Sequence, residues 1–425
     1  MQATTYEMVR AYVDTIPIID THEHLPRYEH LRDKEADVLT EYVSHYFKYD
    51  LFSAGLSEAL YQQATDIRLP LLDRWKMLEP YWEACRFTGY GRHLDTTAKS
   101  LYGINCIDGT TIESLQQAFR AQNSKDNHMH TLFAKGHIET CLLDADDYVI
   151  DCDASYAHGV CRIDALVSPT TWKEIKRLEA FSEVSICSFS SYLQAVDVVI
   201  GNAVEQGAKT LKLGLAYVRP LSFARVGYAE AELAFNHIFD ASHYPRWKEK
   251  TILLPKPAQD YLLHHILGKA NENHWVVQVH TGIQAGNANY LSNADPLQLS
   301  NLFLEYPLAT FCLLHLGFPY QEIACVLAKI YPNVYLDMAW NHIISPSASI
   351  RFLKECLDVV PIHKLFAFGG DESKPDLMYG HLAMAKEHAA LAFAHLVDHR
   401  RLTIDQAKQT ILALSHTNPK QVYRI

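Results

Sequence analysis

The sequence predicts an α/β fold, a (β/α)8 TIM barrel with a helical insertion after strand 1, and three observations carry that expectation. Short apolar runs of strand length recur along the chain. Longer helix-like segments separate them. No Gly/Ser- or Pro-rich linker divides the 425 residues, so a single domain covering 1–425 is expected. Near-continuous apolar runs suit strands buried on both faces, as in a parallel sheet covered by helices. Eight such βα units close most simply into a barrel.

The runs can be placed in order. IPIID (16–20) is the first, and HIETCLLD (137–144) the second. RIDALVSP (162–169), AKTLKLGLAY (208–217) and WVVQVHTG (275–282) follow. TFCLLHLG (310–317), NVYLDMAW (333–340) and KLFAFGGD (364–371) complete the set. Segments such as SSYLQAVDVVIGNAVEQG and YQEIACVLAKIYPN read as the intervening helices. Residues 27 to about 130 exceed what a bare barrel needs. Their stretch LPLLDRWKMLEPYWEACRFTGYGRHLDTTAKSLYGI has apolar positions three and four apart, which predicts a helical insertion placed to cap the C-terminal mouth. RLTIDQAKQTILALSHTNPKQVYRI reads as a terminal helix that packs against the barrel.

Composition bounds the function. Hydrophobic residues make up 48% of the chain and charged residues 20%, enough apolar mass for a sizeable core. A net charge of −11 argues against a nucleic-acid partner, which needs a basic surface. Nine scattered cysteines without a C-x-x-C pair suggest free thiols in a reducing, cytoplasmic compartment. The opening MQATTYEMVRAYVD lacks a signal-peptide pattern, and no run of eighteen apolar residues exists, so no membrane partner is expected. A small-molecule substrate and a homo-oligomeric state, common for soluble enzymes, complete these expectations.

What each strand carries at its C-terminal end is more specific. Strand one runs into His22 and His24, strand four carries Lys212, and strand five ends in His280. Strands six, seven and eight end in His315, Asp337 and Asp371. Those ends converge on one mouth in a barrel, where active sites are built. Side chains at i and i+2 of a strand point the same way, so His22 and His24 share a face and Glu23 takes the other. Two imidazoles can fill two corners of a zinc shell. A third imidazole and a carboxylate would finish it with room for water, and His280 and Asp371 are the natural candidates. Each residue has a plainer reading. H-x-H arises readily among 23 histidines, and Asp371 after Gly-Gly could cap the next helix. Their conjunction at the ends of separate strands favours the metal.

IIDTHEHL, VVQVHTGI, FCLLHLGFP and LFAFGGDES, in that order, resemble the metal-binding barrel of the amidohydrolase superfamily. The resemblance is to the amidohydrolase-related branch, which includes uronate isomerases and predicted TIM-barrel metal-dependent hydrolases. AVEQGAKTLKLGLAY, YPNVYLDMAWNHIISPSAS and KPDLMYG are similar to segments of those hydrolases. The resemblance implies His22, His24, His280 and Asp371 as metal ligands. It implies Asp371 as the catalytic proton acceptor, and His315 as a second catalytic group that contacts substrate or activated water. Lys212 stands where two-metal members carry a carboxylated lysine. Otherwise it faces the substrate or pairs with a neighbour. The cofactor implied is one divalent ion, Zn2+ or Mn2+, with a second left open.

Tyr217 and Arg219, in GLAYVRP, and Trp340 and His342, in AWNH, are the expected substrate-reading residues at the mouth. Arg219 could clamp a carboxylate in a bidentate way. The expected reaction is metal-dependent hydrolysis of an amide, ester or lactone in a small, carboxylate-bearing substrate. The alternatives are a uronate isomerase-like or decarboxylase/lyase activity, and a barrel that binds metal without turnover. Uronate isomerases share a long helical insertion, but resemblance implies an arginine two residues after the strand-eight aspartate. Ser373 stands there. The hydrolase-like relatives carry an arginine at the end of strand three, where the expected strand runs into LVSPTTW.

Overall fold

A computed structural model of the chain describes residues 3–239 and 254–425. Among the described residues nine strand segments, all paired in parallel, build the barrel wall: β1 (Ile18–Glu23), β2 (Ile138–Leu143), β3 (Ala157–Gly159), β4 (Cys161–Arg162), β5 (Thr210–Leu213), β6 (Val276–His280), β7 (Thr310–Leu314), β8 (Val334–Asp337) and β9 (Leu365–Phe366). They pair in chain order as β1-β2-β3 and β4-β5-β6-β7-β8-β9. Only Val160 separates β3 from β4, so together they form the third of eight staves. The ring closes between the first and last staves. Thr21 N–H donates to Phe368 O (3.2 Å), Asp371 N–H to His22 O (2.7 Å) and His24 N–H to Glu372 O (3.2 Å). The chain is a (β/α)8 barrel. β6 is buried at every position, which suits its valine-rich sequence, VVQVH, and leaves Gln278 and His280 as buried polar groups.

One strand falls elsewhere than its apolar pattern places it. RIDALVSP is not the third strand: Asp164–Val167 is a helical turn, and the stave lies at 157–162. His158 and Gly159 hide it by interrupting the apolar alternation. The glycine is required by close approach, because a Cβ there would stand 2.0 Å from Ile150 O. Arg162 thereby becomes the last residue of the third stave.

The insertion is helical as its periodicity predicts, with helices including Phe47–Ser53, Leu71–Cys85, Gly89–Tyr102 and Ile112–Asn123. It has its own core around Trp75, Leu78, Trp82 and Phe119. It docks on the long helix Pro375–Asp398 where Thr97 meets a glycine. A Cβ on Gly380 would lie 1.7 Å from Thr97 Oγ1. The final stretch is two helices, Ile404–Leu412 and Asn418–Tyr423, joined by a π-helical turn. All nine cysteines are free thiols. Among the described residues no helix is long and apolar enough to cross a membrane.

Candidate metal centre and its mouth

The strand ends meet around Asp371. Its Oδ1 lies 3.2 Å from His24 Nε2 and 3.7 Å from His22 Nε2, and its Oδ2 lies 3.5 Å from His315 Nδ1. Burial by itself raises this carboxyl's pKa. The hydrogen bond from His24, and the charge that His22 and His315 take on when acid protonates them, outweigh it and hold the group well below the usual range. Asp371 is therefore an ionised, buried carboxylate ringed by imidazoles. Burial, reinforced by Lys212, presses His22 well below its ordinary value. Burial likewise lowers His315, to about 4. These rings are neutral, the form in which imidazole ligates.

His280 joins through His315. Its Nε2–H donates to Ile283 O (2.9 Å), so its Nδ1 carries a lone pair. His315 Nδ1–H donates to Ala339 O (2.8 Å), which leaves a lone pair on Nε2. Those two nitrogens face each other at 3.0 Å. Two lone pairs that close are satisfied by a shared proton or by a cation. Burial and mutual repulsion push His280 well below its ordinary pKa, which disfavours the proton. The donor chemistry of this chain fits a divalent ion.

A further carboxylate belongs to the cluster. One ligand atom each from His22, His24 and Asp144 lie within 4.8 Å of one another. Asp144 directly follows β2, so its position repeats the strand-end rule that singles out Asp371. The same rule finds Arg162, whose guanidinium pairs with Asp144 (3.2 Å), Asp164 (2.7 Å) and Asp146. The arginine expected at the end of strand three is present once the strand is placed at 157–162. Lys212 points inward and its Nζ sits 2.8 Å from His22 Nε2, with burial lowering its pKa. Asp337 lies deeper, accepting from Ala339 N–H (2.8 Å), and burial raises it to about 7. Asp371 caps no helix; Lys374 is the N-cap of Pro375–Asp398.

Of the four expected substrate-reading residues, two face the mouth. The Tyr217 ring lies 4.7 Å from that of His280. Trp340 stands edge-on to His315 at 5.2 Å and is itself covered by Tyr46 of the insertion, stacked at 4.4 Å. Arg219 is a correction. Its guanidinium donates to Asp260 (2.6 Å), Gln259 (2.8 Å) and Ser222 O (2.8 Å), because the short 3-10 turn Leu215–Tyr217 aims it at the helix Lys256–Glu272. Its donors are occupied inside the protein. His342 is the second correction. Trp340 adopts a left-handed backbone (φ 63°), and the helical turn that follows buries His342 against Ala367 O (2.9 Å) and His388 (3.2 Å).

Sequence reasoning also missed the insertion's own contribution. The Tyr46 hydroxyl donates to Asp371 O (2.7 Å), and His45 Nδ1 lies 2.9 Å from Glu372 Oε2. His45, His315, Trp340 and Asp371 all have left-handed backbones, with φ of 52°, 62°, 63° and 55°. Such strain costs on the order of 1–3 kcal/mol per residue and gathers at functional sites. Beside the cluster a cavity of about 350 Å³ is lined by Asp146, Arg162, Asp164, Arg177 and Tyr217. Asp146 reaches His24 (3.6 Å), so this cavity borders the ligands.

Against known proteins, the family model described as Amidohydrolase (Amidohydro_2) matches residues 241–425, the part that carries His280, His315 and Asp371. Protein fluG of Emericella nidulans is 29% identical over 176 residues, which span 40% of this chain and only 20% of that protein. The uronate isomerase of Thermotoga maritima superposes over 99% of this chain and 97% of its own, with a TM-score of 0.81 at 16% identity. A Lactobacillus casei protein assigned as a metal-dependent hydrolase covers 98% and 97% with a TM-score of 0.67 at 19% identity. At these identities the likeness speaks for the barrel fold alone; the candidate His/Asp metal centre rests on this chain's own geometry.

Proposed function

We propose that this amidohydrolase-family barrel is a metal-dependent hydrolase that cleaves an amide, ester or lactone bond in a small, carboxylate-bearing substrate. The observation that carries the reading is Asp371, an ionised carboxylate set among His22, His24 and His315 at 3.2–3.7 Å. His22, His24, His280 and the carboxylates of Asp144 and Asp371 would hold the divalent ion, zinc or manganese by their donor types. When bound, such an ion supplies Lewis acidity at the reacting centre.

The chain's own groups do the rest. Asp371 accepts a proton at a carboxylate oxygen from the water that attacks the acyl carbon, and returns it to the leaving group as the scissile bond breaks. His315 is wholly buried, so it acts on Asp371 and His280 rather than through open solvent. Trp340, Tyr46 and Tyr90 wall the centre and exclude water, which strengthens every charge interaction inside. Arg162 and Arg177 both line the cavity, and Arg162, which also pairs with Asp144, Asp146 and Asp164, is the one that adjoins the ligand cluster and takes the substrate carboxylate in the role that Arg219 does not fill.

A second reading is an isomerase that moves a proton between adjacent carbons of a sugar acid. It is favoured by the full-length fold likeness to a uronate isomerase together with the insertion residues His45 and Tyr46 at the centre. The deciding experiment loads the protein with Zn2+ or Mn2+ and offers N-acyl compounds, lactones and uronates. Consumption of an acyl or lactone substrate with release of acid is expected. Interconversion of a uronate without hydrolysis overturns the first reading in favour of the second, and binding of metal without turnover of any class overturns both.

A further inference from the structure

We infer that Gln278 and Tyr423 form a positioning relay that fixes the tautomer and orientation of His22, presenting its Nε2 to the metal centre. The inference rests on the metal reading above. Gln278 lies in β6 two residues before His280, so both side chains point into the barrel, and Gln278 is fully buried. Its amide nitrogen donates to Thr21 O (2.7 Å) and to the Tyr423 hydroxyl (3.1 Å). Its Oε1 lies 3.0 Å from His22 Nδ1.

The chemistry of these partners leaves one arrangement. Thr21 O is a carbonyl and only accepts, so the nitrogen end of the amide must face it. The oxygen end then faces His22 Nδ1, which must carry the hydrogen. The other side of the ring gives the same answer. Lys212 Nζ stands 2.8 Å from His22 Nε2, and an ammonium only donates, so Nε2 keeps its lone pair. Two partners on opposite sides of the imidazole select the same tautomer.

Tyr423 closes the relay. It sits at the end of the helix Asn418–Tyr423, buried and ring-packed on Phe366 at 5.6 Å. Its hydroxyl takes the second hydrogen of the Gln278 amide. A flipped amide would set its oxygen against Thr21 O and its NH2 against the donor on His22. His24 has no such support: its Nδ1 makes no hydrogen bond, and Asp146 Oδ2, at 3.6 Å, stands beyond hydrogen-bond reach. His22 is therefore the pre-set ligand of the strand-one pair. Partners that hold the far nitrogen of a ligating histidine set its tautomer and basicity, and their loss weakens metal binding roughly 10–100-fold.

The test measures the Zn2+ dissociation constant of the full chain by competition with a chromophoric chelator, alongside thermal unfolding. Q278L removes the acceptor at Nδ1, and a roughly 10–100-fold weaker Zn2+ affinity is expected. Q278E keeps an oxygen facing Nδ1 but sets its second oxygen against Thr21 O, so partial recovery, to an affinity between those of Q278L and wild type, is expected. Y423F, which keeps the ring and loses the hydroxyl, should weaken Zn2+ several-fold with little change in melting. Equal affinity in Q278L and wild type overturns the relay, as does a Q278L defect that Q278E leaves unrepaired, since that reports general disruption. Should Q278L not fold, Y423F decides, and unchanged affinity there removes Tyr423. A wild-type chain that binds no Zn2+ refutes the metal reading itself, an outcome distinct from all of these.

Discussion

The Tyr46 hydroxyl donates to the main-chain carbonyl of Asp371 across 2.7 Å, joining two residues 325 apart in sequence. The insertion is thus bonded to the backbone of the central carboxylate, at a residue whose φ of 55° is strained. Tyr46→Phe keeps the stack on Trp340 and deletes that bond. A neutral hydrogen bond contributes about 1 kcal/mol, so kcat should fall about fivefold to tenfold while bound metal stays at the wild-type level. Loss of metal together with activity would mean that Tyr46 supports the ligands themselves.

Asp144 is predicted to be a metal ligand in its own right. Asp144→Asn keeps the size of the side chain and removes its charge beside His22 and His24. Zn2+ affinity should fall by more than the roughly 100-fold that marks the loss of an outer partner. Elemental analysis after dialysis checks it, and a variant that retains stoichiometric zinc assigns Asp144 to Arg162 alone.

Asp371 should separate binding from turnover. Asp371→Asn preserves volume and removes the proton acceptor, so turnover should drop about 10²–10⁴-fold. Bound zinc, measured in the same preparation, should persist on the imidazoles and Asp144. Retained turnover would move the proton acceptor elsewhere.

The Gly380–Thr97 contact sets how closely the insertion approaches the barrel. Gly380→Ala drives a methyl into Thr97 Oγ1 in a packed helix pair, a cost of about 1–3 kcal/mol. Urea unfolding should register that loss, and the pair Gly380→Ala/Thr97→Ala, which removes the clashing oxygen, should recover part of it. An additive double variant would place the strain outside this contact.

Stability should also report the neutral His342. Burial holds its pKa down at about 4 against the hydrogen bond to Ala367 O. An unfolded chain takes up that proton near pH 6.5 and the folded one does not, so wild type loses stability as pH falls from 6.5 towards 4. His342→Gln lacks this titration. Its deficit relative to wild type should therefore shrink on acidification, by up to about 3 kcal/mol. Urea unfolding at pH 7.5, 6 and 5 tests it, and a constant gap would mean that His342 is charged or relaxed in the fold.

The barrel and its ligand-bearing ends were readable because apolar runs and strand-end polar residues are both local signals. His22, His24, His280, His315 and Asp371 are read that way, and Asp144 could have been, since CLLD ends like the others. The third stave escaped because Gly159 serves a backbone contact with Ile150 instead of an apolar pattern. Arg162 was lost with it. Arg219 and His342 were misjudged because a single turn after each strand, at 215–217 and at Trp340, redirects the side chain. The approach of Tyr46 to Asp371 depends on how the insertion, residues 27 to about 130, packs on the barrel, which no local pattern encodes.

The bonds that shut the ring, Asp371 N–H to His22 O and His24 N–H to Glu372 O, belong to the same residues that converge on the proposed ion. The working centre therefore straddles the joint where the cylinder could most readily unzip. Mild denaturant or pressure that parts the outermost staves should spread these groups while the helices still stand, and enzymatic competence should fade well ahead of helical circular dichroism.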